Sequence, residues 1–268
     1  MTIQRAAIGL LLAAILYVAM LATLYACQQR LIYPGWWRGT AAAMPDLSGY
    51  RDIATTTSDG LRGRLLYHPA APGKPVILFF HGNGDDVRGS AQIVQRLVAA
   101  GYGAVLPEYR GYHGNPGIPT EQGLYRDARA ARSWMAANGI SDNQTIVMGY
   151  SLGTGVAVEM ATGMKACALV LIAPYASIAH VTTARMPWVP ALLVSERFDN
   201  AAKLGRIGCP ILLVHGTADT TIPAENSAIL KAIKPSADRI LFPGVGHEVA
   251  FTESAQDRII GWLKEKGL

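Results

Sequence analysis

At 268 residues, half of them hydrophobic and 16% charged, the chain can bury one large core, which excludes a disordered or low-complexity polymer. Its net charge of +5 is spread over scattered Lys and Arg with no run of five, so a nucleic-acid partner is not expected and a basic surface near anionic lipid is. Cys27, Cys167 and Cys209 lack CxxC or Cys/His spacing and give no cysteine-built metal site; Cys167 and Cys209 each open an apolar run and read as small core residues.

The first element is the uncharged run Ala6–Ala26, 21 residues long and sufficient to cross a bilayer as a helix. An uncleaved membrane anchor is the favoured reading. A cleaved signal peptide has an apolar region of about 7–15 residues and a small-x-small site, and Leu24-Tyr25-Ala26 is a poor one. Leu24-Tyr25-Ala26-Cys27 also has the outline of a lipoprotein box, with Cys27 as the lipidated residue. Arg5 and the amino group on one side face Arg30 and Arg38 on the other, so orientation stays open; an extracytoplasmic face is expected if the chain is bacterial. Tyr25, Tyr33, Trp36 and Trp37 fit an interfacial aromatic cluster. The expected organisation is therefore an anchor or signal segment over 1–27, a linker over 28–49 and one α/β domain over 50–268.

Two strands, Tyr50–Thr57 and Leu61–His68, are expected around the hairpin turn Ser58-Asp59-Gly60. An apolar strand, Val76–Phe80, ends at His81-Gly82-Asn83-Gly84, and a helix follows over about Arg88–Ala100. Strand Ala104–Pro107 leads through a Gly/Tyr-rich loop to a helix over about Thr120–Asn138. Strand Thr145–Gly149 runs into a helix over about Ser151–Thr162. Strand Cys167–Ala173 precedes an irregular segment from Pro174 to about Gly208. Strand Ile211–His215, a helix near Ala224–Ile233, strand Arg239–Phe242 and a helix over about Glu253–Lys266 complete the chain. Strands alternating with helices imply a mostly parallel sheet with right-handed crossovers. Working residues in such sheets lie beyond the strands' C-terminal ends.

At one such end stands Gly149-Tyr150-Ser151-Leu152-Gly153, the Gly-x-Ser-x-Gly elbow. The turn is tight, side chains at the two glycine positions would collide, and the serine is exposed at a helix N-terminus whose partial positive charge favours an oxyanion. The next late strand ends lead to Asp219, in His215-Gly216-Thr217-Ala218-Asp219, and to His247, in Gly244-Val245-Gly246-His247. The order Ser…Asp…His is that of one triad-bearing fold and differs from the others. His247 would take and return the serine proton, and Asp219 would orient the imidazole. Two backbone N–H groups are needed for an oxyanion hole, and Leu152 and Asn83 occupy the required places. His81 and His215 precede glycines and are expected to shape their loops; His113 and His180 are weaker candidates for substrate contact.

Together these residues resemble the α/β-hydrolase superfamily from about Tyr50 to the C-terminus. More closely, they resemble the membrane-anchored, small-lid serine hydrolases of the alpha/beta hydrolase domain-containing type. FFHGNGDDV (79–87), PEYRGYHGNPGIPTEQGLYRDA (107–128), GYSLGTGVA (149–157) and RFDNAAKL (197–204) carry that likeness, as does the hydrophobic N-terminus followed by QQRLIYPG. The resemblance implies an α/β-hydrolase fold: a mostly parallel sheet with an antiparallel N-terminal hairpin, helices on both faces and a short lid over about 174–208. It also implies a serine esterase or thioesterase acting on small-molecule or lipid acyl groups, with no metal and no organic cofactor. A peptidase or amidase on the same residues, and a non-catalytic anchored binding protein on the same scaffold, are the alternatives.

Overall fold

The computed structural model describes residues 2–39 and 46–268. Its strands are β1 (Arg51–Thr56), β2 (Arg62–His68), β3 (Val76–Phe80), β4 (Gly103–Pro107), β5 (Thr145–Tyr150), β6 (Ala168–Ile172), β7 (Ile211–Gly216) and β8 (Asp238–Phe242). The helices are α1 (Thr2–Ile32), α2 (Pro34–Arg38), α3 (Val87–Ala99), α4 (Glu121–Ala137), α5 (Gly153–Thr162), α6 (Ile178–Arg185), α7 (Asn200–Leu204), α8 (Glu225–Ile233) and α9 (Glu253–Glu265). The strands form one sheet in the order β1-β2-β4-β3-β5-β6-β7-β8. β1–β2 and β2–β4 pair antiparallel, and every pair from β4 across to β8 is parallel.

Burial follows from that arrangement. Every residue of β3 to β7 is buried, because helices cover both faces of the inner sheet and an apolar strand is the only kind that fits. Alternate side chains then serve opposite cores. Ile77, Phe79, Ile146 and Met148 join the side of α3 and α9, while Leu78, Phe80 and Val147 join the side of α4, α5, α7 and α8. β1 lies at an edge and exposes Arg51 and Asp52. The chain moves from β3 outward to β4 and then returns past β3 to β5. The crevice at the C-terminal ends of β3 and β5 is therefore a topological switch point, where α/β sheets bind ligands.

Two stretches differ from the sequence-based expectation. The segment expected to be irregular, 174–208, contains α6 and α7; Ser177 caps the first by accepting from His180 N at 3.0 Å, and Asp199 caps the second by accepting from Ala202 N at 3.0 Å. These helices are only eight and five residues long, too short for a clear apolar period. The linker expected over 28–49 is corrected for its first part. α1 continues to Ile32 and α2 follows directly, while 40–45 fall outside the described residues. Tyr33 is fully buried, and its hydroxyl donates to Glu196 Oε2 at 2.6 Å. The same carboxylate accepts from the backbone N–H of Glu121 at the start of α4. A buried aromatic and a carboxylate shared by three segments make 28–38 part of the folded domain.

Tyr33→Phe tests that correction. Removing the donor leaves a buried carboxylate short of a partner, so the variant is expected to lose about 1–3 kcal/mol in denaturant unfolding. An unchanged midpoint would return this stretch to the status of a linker.

Candidate active site

The turn from β5 into α5 holds Ser151 at φ 52°, in the left-handed region that non-glycine residues rarely occupy. The surroundings impose this conformation. A Cβ on Gly153 would overlap the Phe80 carbonyl at the end of β3, and one on Gly149 would overlap the carbonyl of Gly153. Ser151 N donates to Ile172 O at 2.9 Å, which ties the turn to β6.

His247 reaches this serine from the turn after β8. The Ser151 hydroxyl and His247 Nε2 are 2.9 Å apart, and His247 Nδ1 is 2.7 Å from Asp219 Oδ2. With Nδ1–H donating to the carboxylate, Nε2 is left as the acceptor for the serine O–H; this tautomer is assigned from the bonding pattern. Asp219 Oδ1 accepts from Thr221 N and Ile222 N, both at 2.8 Å. Burial alone would raise the Asp219 carboxyl, but hydrogen bonds with His215, His247 and Ile222 outweigh it and hold the group well below the usual carboxylate range. It stays ionised beside the imidazole.

Tyr150, between Gly149 and Ser151, supports the histidine. Its ring lies 5.3 Å from the His247 ring, and its hydroxyl donates to His247 O at 3.1 Å. The turn after β3 is braced from two directions. Asn83 O accepts from Tyr112 Oη at 3.0 Å and from Gly35 N at 3.1 Å, while Asn83 Nδ2 donates to Ile32 O at 3.1 Å. Beneath it, buried His81 has Nδ1 2.8 Å from Gly82 O and Nε2 2.9 Å from Glu108 Oε1. Burial would lower the His81 pKa, but the Glu108 carboxylate prevails and raises it. Tyr109 Oη completes the brace by donating to His81 O at 3.0 Å.

Asn83, Ser151 and Leu152 line one cleft of about 260 Å³, together with Ile32, Tyr175 and Arg185. Neither the Asn83 nor the Leu152 amide donates to another described residue, so both remain open to a ligand oxygen. His215 shapes its own loop through Nε2, 2.8 Å from Ile222 O. His113 stands 3.6 Å from Asp86, and neither it nor His180 lines the cleft. Among the described residues no group of three His, Cys, Asp or Glu could hold a metal ion, and the three cysteines are free.

The structure thus brings Ser151, Asp219 and His247 into one hydrogen-bonded chain, with Asn83 and Leu152 beside it. Sequence reasoning placed Tyr33 in an interfacial cluster, whereas the structure buries it against Glu196. That reasoning did not single out Tyr150, Glu108 or Tyr112. The repeated tyrosines around 107–112 were the available signal for the last two.

A mixed sheet with a serine at its switch point fits the α/β-hydrolase fold, and the comparisons with known proteins agree. The sequence model of the family described as serine aminopeptidase, S33 (Hydrolase_4) matches residues 71–202. An uncharacterized Mycobacterium tuberculosis protein, Rv2307c, is 36% identical over 225 residues, covering 82% of this chain and 80% of that protein. Human alpha/beta hydrolase domain-containing protein 17B is 29% identical over 202 residues, covering 72% of this chain and 67% of that protein. Among solved structures, the Pyrococcus furiosus esterase Pf2001 superposes with a TM-score of 0.67 at 18% identity, covering 84% of this chain and 97% of the esterase. The chain belongs to the α/β-hydrolase superfamily, resembles its alpha/beta hydrolase domain-containing branch, and is a hydrolase.

Asp85 supplies a test of the site's foundations. Its Oδ1 accepts from Asp86 N at 2.9 Å, but the buried Oδ2 has no hydrogen-bond partner among the described residues, and burial pushes the carboxyl up to about 6. An unfolded aspartate titrates near 3.9. The folded state therefore holds the proton more tightly, and stability falls as pH rises from about 4 to about 6. Asp85→Asn should remove that decline, worth about 2–3 kcal/mol, in unfolding measured at several pH values. Parallel profiles for the two proteins would contradict it.

Proposed function

We propose that the protein is a membrane-anchored serine hydrolase that cleaves carboxylic ester or thioester bonds through an acyl-enzyme on Ser151. The observation that carries this reading is the unbroken chain from Ser151 Oγ through His247 to Asp219, with separations of 2.9 and 2.7 Å. His247 Nε2 takes the hydroxyl proton as Oγ attacks the acyl carbon, and the new imidazolium is stabilised by ionised Asp219. Negative charge moves onto the carbonyl oxygen, which the Asn83 and Leu152 N–H groups receive beside the α5 N-terminus. As the tetrahedral species collapses, the bond to the leaving oxygen or sulfur breaks and His247 returns the proton to it. Water then repeats the sequence, releasing the acid and restoring Ser151.

The esterase among the structural neighbours and the small cleft support a small-molecule or lipid acyl substrate. A second reading, peptidase or amidase, draws on the name of the matching family. Comparing turnover of matched short-chain esters and aminoacyl amides separates the two, because leaving-group preference resides in pocket shape. Anchoring is supported by α1, an apolar helix within Ile3–Ile32 whose most hydrophobic 18-residue window has a mean hydropathy of 2.5 with none of that window buried. In this reading α1 spans the bilayer, the remainder of the expected linker lies between α2 and β1, and about 174–208 is the lid.

Fluorophosphonate labelling, read by intact mass and peptide mapping, tests the nucleophile. One adduct on Ser151 is expected, absent from Ser151→Ala, whose turnover should fall by about 10⁴-fold or more. An unlabelled but folded wild type would sink the serine mechanism and bring forward the non-catalytic binding protein.

A further inference from the structure

The position of α1 against the rest of the molecule limits how the protein can sit in a bilayer. The Tyr17 hydroxyl donates to the Trp188 carbonyl at 2.7 Å, and Gln28 Oε1 accepts from Ser195 N at 3.0 Å. Between these ties, Leu21, Leu24 and Tyr25 of α1 face Met186, Val189 and Leu193 across an apolar groove of about 100 Å³. The domain therefore flanks α1 from Tyr17 downward. At 1.5 Å per residue, Tyr17 lies about 22 Å along the axis from Ile32. The helix beyond it, Ile3–Leu16, covers only about 21 Å, short of a hydrocarbon core about 30 Å thick. A spanning α1 must therefore carry its neighbouring segment into the acyl layer.

That segment suits the environment. Met186-Pro187-Trp188-Val189-Pro190-Ala191-Leu192-Leu193-Val194 is uncharged throughout, and it lies between Arg185 and Glu196. Trp188 is 44% and Leu192 77% exposed, large apolar surfaces that no described residue covers. Much of its backbone is already satisfied, as hydrocarbon requires. Val189 N donates to Met186 O at 2.9 Å, Leu193 N to Pro190 O at 3.0 Å and Val194 N to Ala191 O at 3.2 Å, while Pro187 and Pro190 have no N–H to satisfy.

We propose that 186–194 is a second membrane-insertion element, seated in one leaflet beside α1, so that the groove between them opens into the acyl layer. The partner is the hydrocarbon of a lipid leaflet. Leu31 and Ile32 line both this groove and the Ser151 cleft, so an acyl chain entering from the leaflet meets an apolar wall that the cleft shares. The proposal rests on the reading of α1 as a span.

Full-length protein in phosphatidylcholine vesicles tests it. Tryptophan emission is compared for wild type and Trp188→Phe, with plain lipids and with lipids brominated on their acyl chains. The emission that the variant lacks should be quenched at least twofold by the brominated chains; unquenched difference emission overturns the insertion. Leu192→Glu, outside the groove and the cleft, provides a second measurement. It should lower turnover of a long-chain ester embedded in vesicles about tenfold while leaving a water-soluble short-chain ester unaffected. Equal effects on the two esters, or none, overturn the proposal. A wild type that alkaline carbonate strips from the vesicles removes the anchor itself. Retention without quenching removes only the insertion, and a fluorophosphonate adduct reports on Ser151 independently of both.

Discussion

The close approach of the α5 N-terminus to the end of β3 is the constraint on which the other features depend. Backbone meets backbone there: the Phe80 carbonyl lies where a Cβ on Gly153 would be, and Gly149 passes under Gly153 with no room for a side chain. With its neighbours so fixed, Ser151 has one place to go, at φ 52° above the sheet. The cost of a non-glycine residue in this region, of order 1–3 kcal/mol, is borne by the fully buried strands on either side. A side chain at Gly153 would push α5 away from β3, and one at Gly149 would push it away from β5; either would disturb the turns that line the cleft.

The second dependence runs through the turn after β3. Asn83 is held on one side by Tyr112, from the loop after β4, and on the other by Ile32 and Gly35, from the junction of α1 and α2. Underneath lies an ionisable pair that is unusual in a core: His81 and Glu108, both fully enclosed as side chains. A buried charge pair gives little net stability against an apolar replacement, but losing either partner is costly. Its geometric effect is plain, since both ring nitrogens of His81 are used and the Gly82 carbonyl is pinned. The amide that follows is then aimed by hydrogen bonds on every side.

How much of this could be read in the sequence depended on the range of the interaction. The strands were legible because an apolar run between Gly and Pro signals needs no partner to be recognised. Ser151, Asp219 and His247 could be picked out because a parallel sheet delivers strand ends to one edge, and only three ends carried suitable groups in the expected order. Tyr33 and Glu196 could not be picked out: they are 163 positions apart, and nothing local distinguishes a buried tyrosine from an interfacial one. The expected linker over 28–49 left out the decisive feature of its first part, the aromatic area that Tyr33 and Trp36 pack against the core. The short helices of 174–208 were hidden for another reason, being defined by their Ser177 and Asp199 caps rather than by a period.

These dependences meet at the N-terminus. Ile32 is the last residue of α1, its carbonyl holds the Asn83 side chain, and its own side chain lines the Ser151 cleft. A helix whose apolar face lies outside the protein core is thereby joined, within a few residues, to the turn that would receive an oxyanion. The position of α1 and the geometry of that turn are therefore not independent variables. A change that shifts the helix against 186–194 must strain the Asn83 hydrogen bonds or break them, and either displaces the 83 amide. In a molecule built this way, the environment of α1 is part of the environment of Ser151.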